Sequence, residues 1–179
     1  MLRYYLAWED YEKELIQGPN KGNSDSFYKY LSGMKVLRNF KSGSIKSSVF
    51  NISKDFISSS KNHADAELLS KRFLGADVLN NRIKNSIVAA SKILWFFNLN
   101  TIIMDALARK YLQKLSGEKI EGYISFCDTW EKQYAKFKPE LIRKLEETGI
   151  YKISKLYQEE WFLKRTFDNY LWSKGKNIK

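Results

Sequence analysis

The stretch NLNTIIMDALARKYL, residues 98–112, sets a single carboxylate, Asp105, between an apolar run and a basic segment. Ile102, Ile103 and Met104 precede it, and Ala106, Leu107 and Ala108 follow. A carboxylate in such dry surroundings is costly unless it is paired, hydrogen-bonded or used. At the N-cap of a helix beginning at Ala106, its side chain accepts a backbone N–H from the first turn and faces the positive end of the helix dipole. Both effects hold it ionised against its apolar neighbours, and the plain reading is a capping aspartate. Two features ask for more. The turn leaves an apolar run where a solvated loop is the rule, and the preceding segment AASKILWFFN ends in aromatic residues able to wall a pocket.

The other reactive residue types are sparse. One cysteine (Cys127) and one histidine (His63) cannot assemble an ordinary zinc site, and no metal or cofactor is expected. Cys127, with no histidine near it in sequence, reads as a small buried hydrophobe. His63 reads as a helix-start surface residue, and Glu159 and Glu160 as helix-surface charge.

The elements that must position Asp105 read as helices. Two prolines and no alternating stretches point to an all-α, compact multi-helix domain over 1–179, with 164–179 a basic C-terminal tail of five basic residues against one acid. A first helix is expected over 2–16, then a loop over 17–26. Ser24 or Asp25 should cap a helix carrying Phe27, Tyr30, Leu31, Met34 and Leu37. Ile45, Val49, Ile52, Phe56 and Ile57 fall on one side of the next. Asn62 can cap a helix that stops near Gly75. Asp77 is expected to open the segment ending in AASKILWFFN, whose later part, 87–97, is apolar nearly all round and belongs at a domain centre. After a turn at 98–100 comes the Asp105 helix, ending near Ser116-Gly117. Helices over 120–137, 139–147 and 153–172 complete the chain, with Pro139 at a first helical position.

The charge balance is basic: 31 Lys and Arg against 20 Asp and Glu, net +11, with 44% hydrophobic and 15% aromatic residues. Such an excess favours polyanionic partners. Lys71, Arg72, Arg82, Lys84 and Lys92 lie just ahead of or within the apolar helix, against Asp77 alone, and form the candidate phosphate-binding face. Arg109, four residues after Asp105, serves either as its i,i+4 partner or as a further phosphate contact. No apolar stretch reaches the roughly 18 residues of a membrane span. The first residues, MLRYYLAWEDYEKEL, lack the clean apolar core of a signal peptide, so a soluble cytoplasmic protein, a monomer without membrane contact, is expected.

The segment AASKILWFFNLNTIIMDALARKYL resembles the core of the helix-hairpin-helix DNA glycosylases of the 8-oxoguanine type. In that family a helical hairpin binds the phosphate backbone and a buried helix of type A-S-x-x-L follows. A short apolar loop then leads to a catalytic aspartate at the next helix start. The resemblance covers residues 74–115 and implies that Asp105 is that carboxylate and DNA the partner. Excision passes through an oxocarbenium-like sugar, which an ionised carboxylate stabilises while orienting water. The base must leave the stack and meet aromatic faces, for which Trp95, Phe97, Trp8 and Trp161 are candidates, with Trp172 behind them. Two positions depart from the pattern. Members that also cleave the strand carry a lysine three residues before the serine, where this chain has Val88, with Lys84 and Lys92 one turn to either side. The glycine-rich hairpin L-P-G-x-G is reduced to Gly75, leaving side chains such as Arg82 and Lys84 to substitute. The resemblance therefore implies a monofunctional DNA N-glycosylase for damaged or modified bases, and the small size and Lys/Asn-rich composition suggest an accessory enzyme acting on foreign (phage) DNA. The alternatives are a non-catalytic helical DNA-binding module, with Asp105 only a cap, and a protein-interaction bundle.

Overall fold

The computed structural model describes residues 23–57, 65–83, 85–149 and 159–178. The helix expected over 2–16, the cap at Asn62, and Trp8, His63 and Lys84 lie outside these residues. The described chain is all-helical, with seven α-helices, a 3-10 turn, a π turn and one isolated antiparallel bridge. It divides into two compact units, Met1–Thr101 and Ile102–Lys179.

The first unit begins with α1 (Ser24–Gly33). Its cap is Asn23, one residue before the expected Ser24 or Asp25, and the Asn23 side chain accepts from the Ser26 amide at 2.7 Å. The helix buries Phe27, Tyr30 and Leu31. It stops before Leu37 because Lys35 turns to φ +57°, and a 3-10 turn, Leu37–Asn39, follows. A π turn at Ile45–Val49 leads into α2 (Phe50–Ile57). The wider turn shifts the helical register, so Phe50 and Ser53 go inside with Ile45, Val49 and Phe56, while Ile52 and Ile57 are only half-buried. Next, α3 (Asp65–Gly75) buries Ala66, Leu69 and Phe73.

Asp77 does not open a helix. It adopts φ +54°, and the segment it begins pairs with the 3-10 turn through the Phe40–Leu79 bridge. The apolar helix α4 therefore spans only Ile87–Phe97, with Ala89, Ala90, Ile93, Leu94, Trp95 and Phe96 all buried. It packs against α1, α2 and α3, as an all-round apolar helix must. Its start is pinned to α3 by Ser70 and Ser86, whose hydroxyls lie 2.9 Å apart.

In the second unit, α5 (Ala106–Ser116) ends at Gly117, whose φ of +74° makes the left-handed stop that glycine tolerates. Then α6 (Gly122–Glu147) runs unbroken where two helices were expected. Pro139 lies inside it, without the N–H that would reach the carbonyl of Ala135. Both residues are exposed, so water can take up that carbonyl. Last comes α7 (Glu160–Gly175). Residues 164–175, expected as part of a basic tail, bury Arg165, Phe167, Asp168, Leu171 and Gly175 within this helix. The α5 and α7 helices pack closely, and a Cβ placed on Gly175 would collide with the Leu107 carbonyl oxygen. Between α6 and α7, the Trp130 indole N–H donates to the Asp168 carboxylate at 2.8 Å, and the buried Arg165 guanidinium lies 4.0 Å from its other oxygen.

Candidate functional site

The turn into α5 is built as its sequence dictates. Ile102, Ile103 and Met104 are buried at 1, 3 and 8% exposure and draw the chain out of the core. The Tyr123 hydroxyl clamps this run by donating to the Ile102 carbonyl at 2.6 Å. Asp105 then takes an extended backbone (φ −132°, ψ 147°), and its Oδ1 accepts the Leu107 amide at 2.9 Å. Its side chain is half-buried. Arg109 is exposed one turn further on, its backbone N–H bonded to the Asp105 carbonyl. The arrangement sets a carboxylate at a helix N-terminus, chemically able to cap the helix and to face a nearby positive charge.

The aromatic candidates sit in the cores. Trp95 is 1% exposed and stacks on Tyr30 with ring centres 5.9 Å apart. Phe97 is half-buried and its ring meets those of Phe27 and Phe50. Both belong to the first unit, while Trp161, 8% exposed and edge-on to Phe162, belongs to the second. A base could stack on Trp95 or Trp161 only after those cores opened. Trp172 is the exposed indole of the second unit, with the Lys176 ammonium 3.3 Å above its ring.

The described residues of the basic cluster fall on α3, on α4 and in a turn. Lys71 and Arg72 are exposed on α3, and the Arg72 guanidinium lies 4.9 Å from the Phe56 ring centre. Lys92 is half-buried on α4 and its ammonium donates to the Met34 carbonyl at 3.3 Å, at the negative end of α1. The Tyr30 hydroxyl donates in turn to the Lys92 carbonyl. Helical spacing relates these residues only if the helix opens at Asp77. It opens ten residues later, and Arg82 falls in a turn.

That turn places Arg82 beside residues the charge count had passed over. The segments 36–41 (VLRNFK) and 78–83 (VLNNRI) run antiparallel, with Lys41 N–H to the Val78 carbonyl at 2.9 Å and Asn80 N–H to the Asn39 carbonyl at 3.0 Å. Val36, Phe40, Val78 and Leu79 are buried and anchor the pair. The Asn80 side-chain amide donates to the Arg38 carbonyl at 2.5 Å, and Ile83 N–H closes a turn on Asn80. Above this frame lies a cleft of about 500 Å³ lined by Arg38, Asn39, Lys41, Asn80, Asn81, Arg82 and the half-buried Ile83. Arg38 and Arg82 are exposed with no carboxylate partner among the described residues, whereas Lys41 pairs with Asp77 at 2.5 Å. The signal for it was the shared Val-Leu start and Arg/Asn composition of the two segments.

Among the described residues, no group of three or more His, Cys, Asp or Glu side chains is placed to hold a metal ion. Cys127 is fully buried, as expected of a core residue, and burial pushes its thiol up to about 12. No described helix is long and apolar enough to cross a membrane. Comparison with protein-family models, with curated proteins and with solved structures gives no match.

Proposed function

We propose that the protein binds DNA through a positively charged surface of its first unit. What carries this reading is the net charge of +11 together with the exposure of Lys71, Arg72 and Arg82. Cations that a protein leaves in water, without carboxylates to offset them, attract phosphates and release the counterions condensed on DNA. The test is fluorescence anisotropy of a labelled duplex at rising salt. The logarithm of affinity should fall linearly with the logarithm of salt, with a slope of roughly 0.9 for each phosphate contact. Binding that is absent even at low salt would remove the reading and leave a bundle whose charge serves solubility.

Base excision by Asp105 is the second reading, favoured by one observation. The carboxylate emerges from a buried apolar run yet keeps part of its surface in solvent. At that place it would stabilise an oxocarbenium-like sugar of a damaged or modified nucleotide, including modified phage DNA. Asp105→Asn keeps a side-chain acceptor for the Leu107 amide, so the melting temperature should hardly move. Abasic-site formation should fall by roughly 10²-fold or more, because the charge is gone. DNA affinity should hold or rise. An Asn variant that excises at the wild-type rate, or a wild type that releases no base from natural and modified DNAs, leaves Asp105 as a cap and the protein as a binding module.

A further inference from the structure

The cleft between residues 38–41 and 80–83 carries an assignment of its own. We propose that it is a phosphate-binding site that seats the backbone of a DNA strand, with Arg38 and Arg82 as its two phosphate-binding forks. The proposal rests on the DNA-binding reading and names where on the first unit the strand lies.

Three observations support it. The first is charge: Arg38, Lys41 and Arg82 line one cleft, and Asp77 offsets only Lys41. The two guanidinia therefore remain available to a ligand. A guanidinium presents paired N–H donors that match two phosphate oxygens at once, which an ammonium cannot do. The second is construction. The segments that hold the arginines are tied by two backbone hydrogen bonds and the Asn80 side-chain bond, over four buried anchors. Their backbone is ordered before any ligand arrives, so binding has only the side chains to immobilise. The third is the rest of the lining. Asn39, Asn80 and Asn81 each bring an amide with both donor and acceptor, suited to sugar and base edges beside a phosphate. A cleft of about 500 Å³ has room for a ligand of nucleotide size. A lipid surface would call for several large apolar side chains to insert beside the cations, and Ile83 is the one apolar side chain of this lining.

The site differs from the face that sequence order suggests. It takes Arg82 from that group and adds Arg38 and Lys41, more than forty residues earlier in the chain.

The experiment compares wild type with Arg38→Gln/Arg82→Gln by anisotropy on a labelled duplex and a labelled single strand, across a salt series. A second variant, Arg38→Lys/Arg82→Lys, restores charge without the fork. A third, Lys132→Gln/Lys136→Gln, removes two exposed charges of the second unit. Melting temperatures should agree across the set, since both arginines are exposed and unpaired. The Gln variant should lose roughly 0.9 of slope per arginine on the duplex, and at least about tenfold in affinity at moderate salt. The Lys variant should recover the slope but not the full affinity, and the control should keep most of both. A Gln variant with the wild-type slope overturns the cleft while leaving DNA binding standing. The same loss in the control shows that net charge, and not the cleft, governs binding. A wild type that binds phosphatidylserine vesicles and no DNA overturns both the cleft assignment and the reading beneath it.

Discussion

Asp105 and Lys92 show how one residue type changes meaning with its neighbours. Asp105 behaves as its local sequence requires: an apolar run behind it, a helix ahead, and a side chain returning to the Leu107 amide. Nothing distant is needed to explain that geometry. Lys92 was grouped with other cations by proximity in the chain, yet its ammonium reaches Met34, 58 residues away. Glu160 is a third case. It reads as surface charge, but it accepts from Tyr134 at 3.0 Å and from Lys138 at 2.6 Å. Partial burial pushes its carboxyl up, and the hydrogen bonds and charges of Lys138, Tyr134 and Lys164 outweigh that, leaving it below the ordinary 4.5. Burial, and after it the same contact, raises the Tyr134 phenol. A carboxyl lowered on folding stabilises the folded state above its ordinary pKa and loses that contribution as pH falls through the folded value. Glu160→Gln should therefore be less stable than wild type at pH 7, by under about 1 kcal/mol because the pair is partly solvated. The gap should close below pH 4.5. A gap that keeps its full size however far the pH falls below 4.5 would mean that ionisation is not its source.

Element boundaries divide into those with a chemical stop and those without. Gly75 and Gly117 end α3 and α5 as the sequence indicates, and Asn98 follows α4. Asp77, by contrast, looks like a helix opener, an acidic capping type ahead of a segment that becomes apolar at helical spacing. The competing structure is non-local: residues 78–80 gain partners from 39–41, and the buried Phe40, Val78 and Leu79 close the pair. Pro139 misleads in the opposite direction. A proline suggests a helix start, but apolar residues on either side of it, including Tyr134 and Leu141, are buried along one continuous α6. Gly175 has a role that no local rule shows. It lies inside α7 where the Leu107 backbone passes, so it serves close approach and not a turn. Gly175→Ala raises helix propensity, by up to about 1 kcal/mol if the site were open. Here the added methyl meets a carbonyl on rigid backbone, and the expected outcome is a net loss of about 1–3 kcal/mol or more, read as a lower denaturation midpoint. A midpoint that rises would show that α5 and α7 do not cross so closely.

Across the whole molecule, the all-helical class was legible from periodicity and from the scarcity of prolines. So was the place of α4 in a core. Leu94, 4% exposed on that helix, tests it: Leu94→Ala should cost about 2–5 kcal/mol in denaturant unfolding. A change within error would mean that the helix does not organise its unit. The sequence by itself determined what short-range forces decide: the helical class, the cap at Asp105, the stop at Gly117 and the excess of positive charge. Tertiary structure decided the rest, because each of those outcomes depends on atoms far apart in sequence. It drew Arg38 and Arg82 to one cleft by pairing two Val-Leu segments, closed Trp95 and Trp161 into cores, and folded most of 164–179 onto α5 and α6 as a packed helix. Local propensity is a matter of tenths of a kcal/mol per residue, whereas burying a large apolar side chain contributes roughly 1.5–3 kcal/mol. Where the two disagree, as after Gly75, burial prevails.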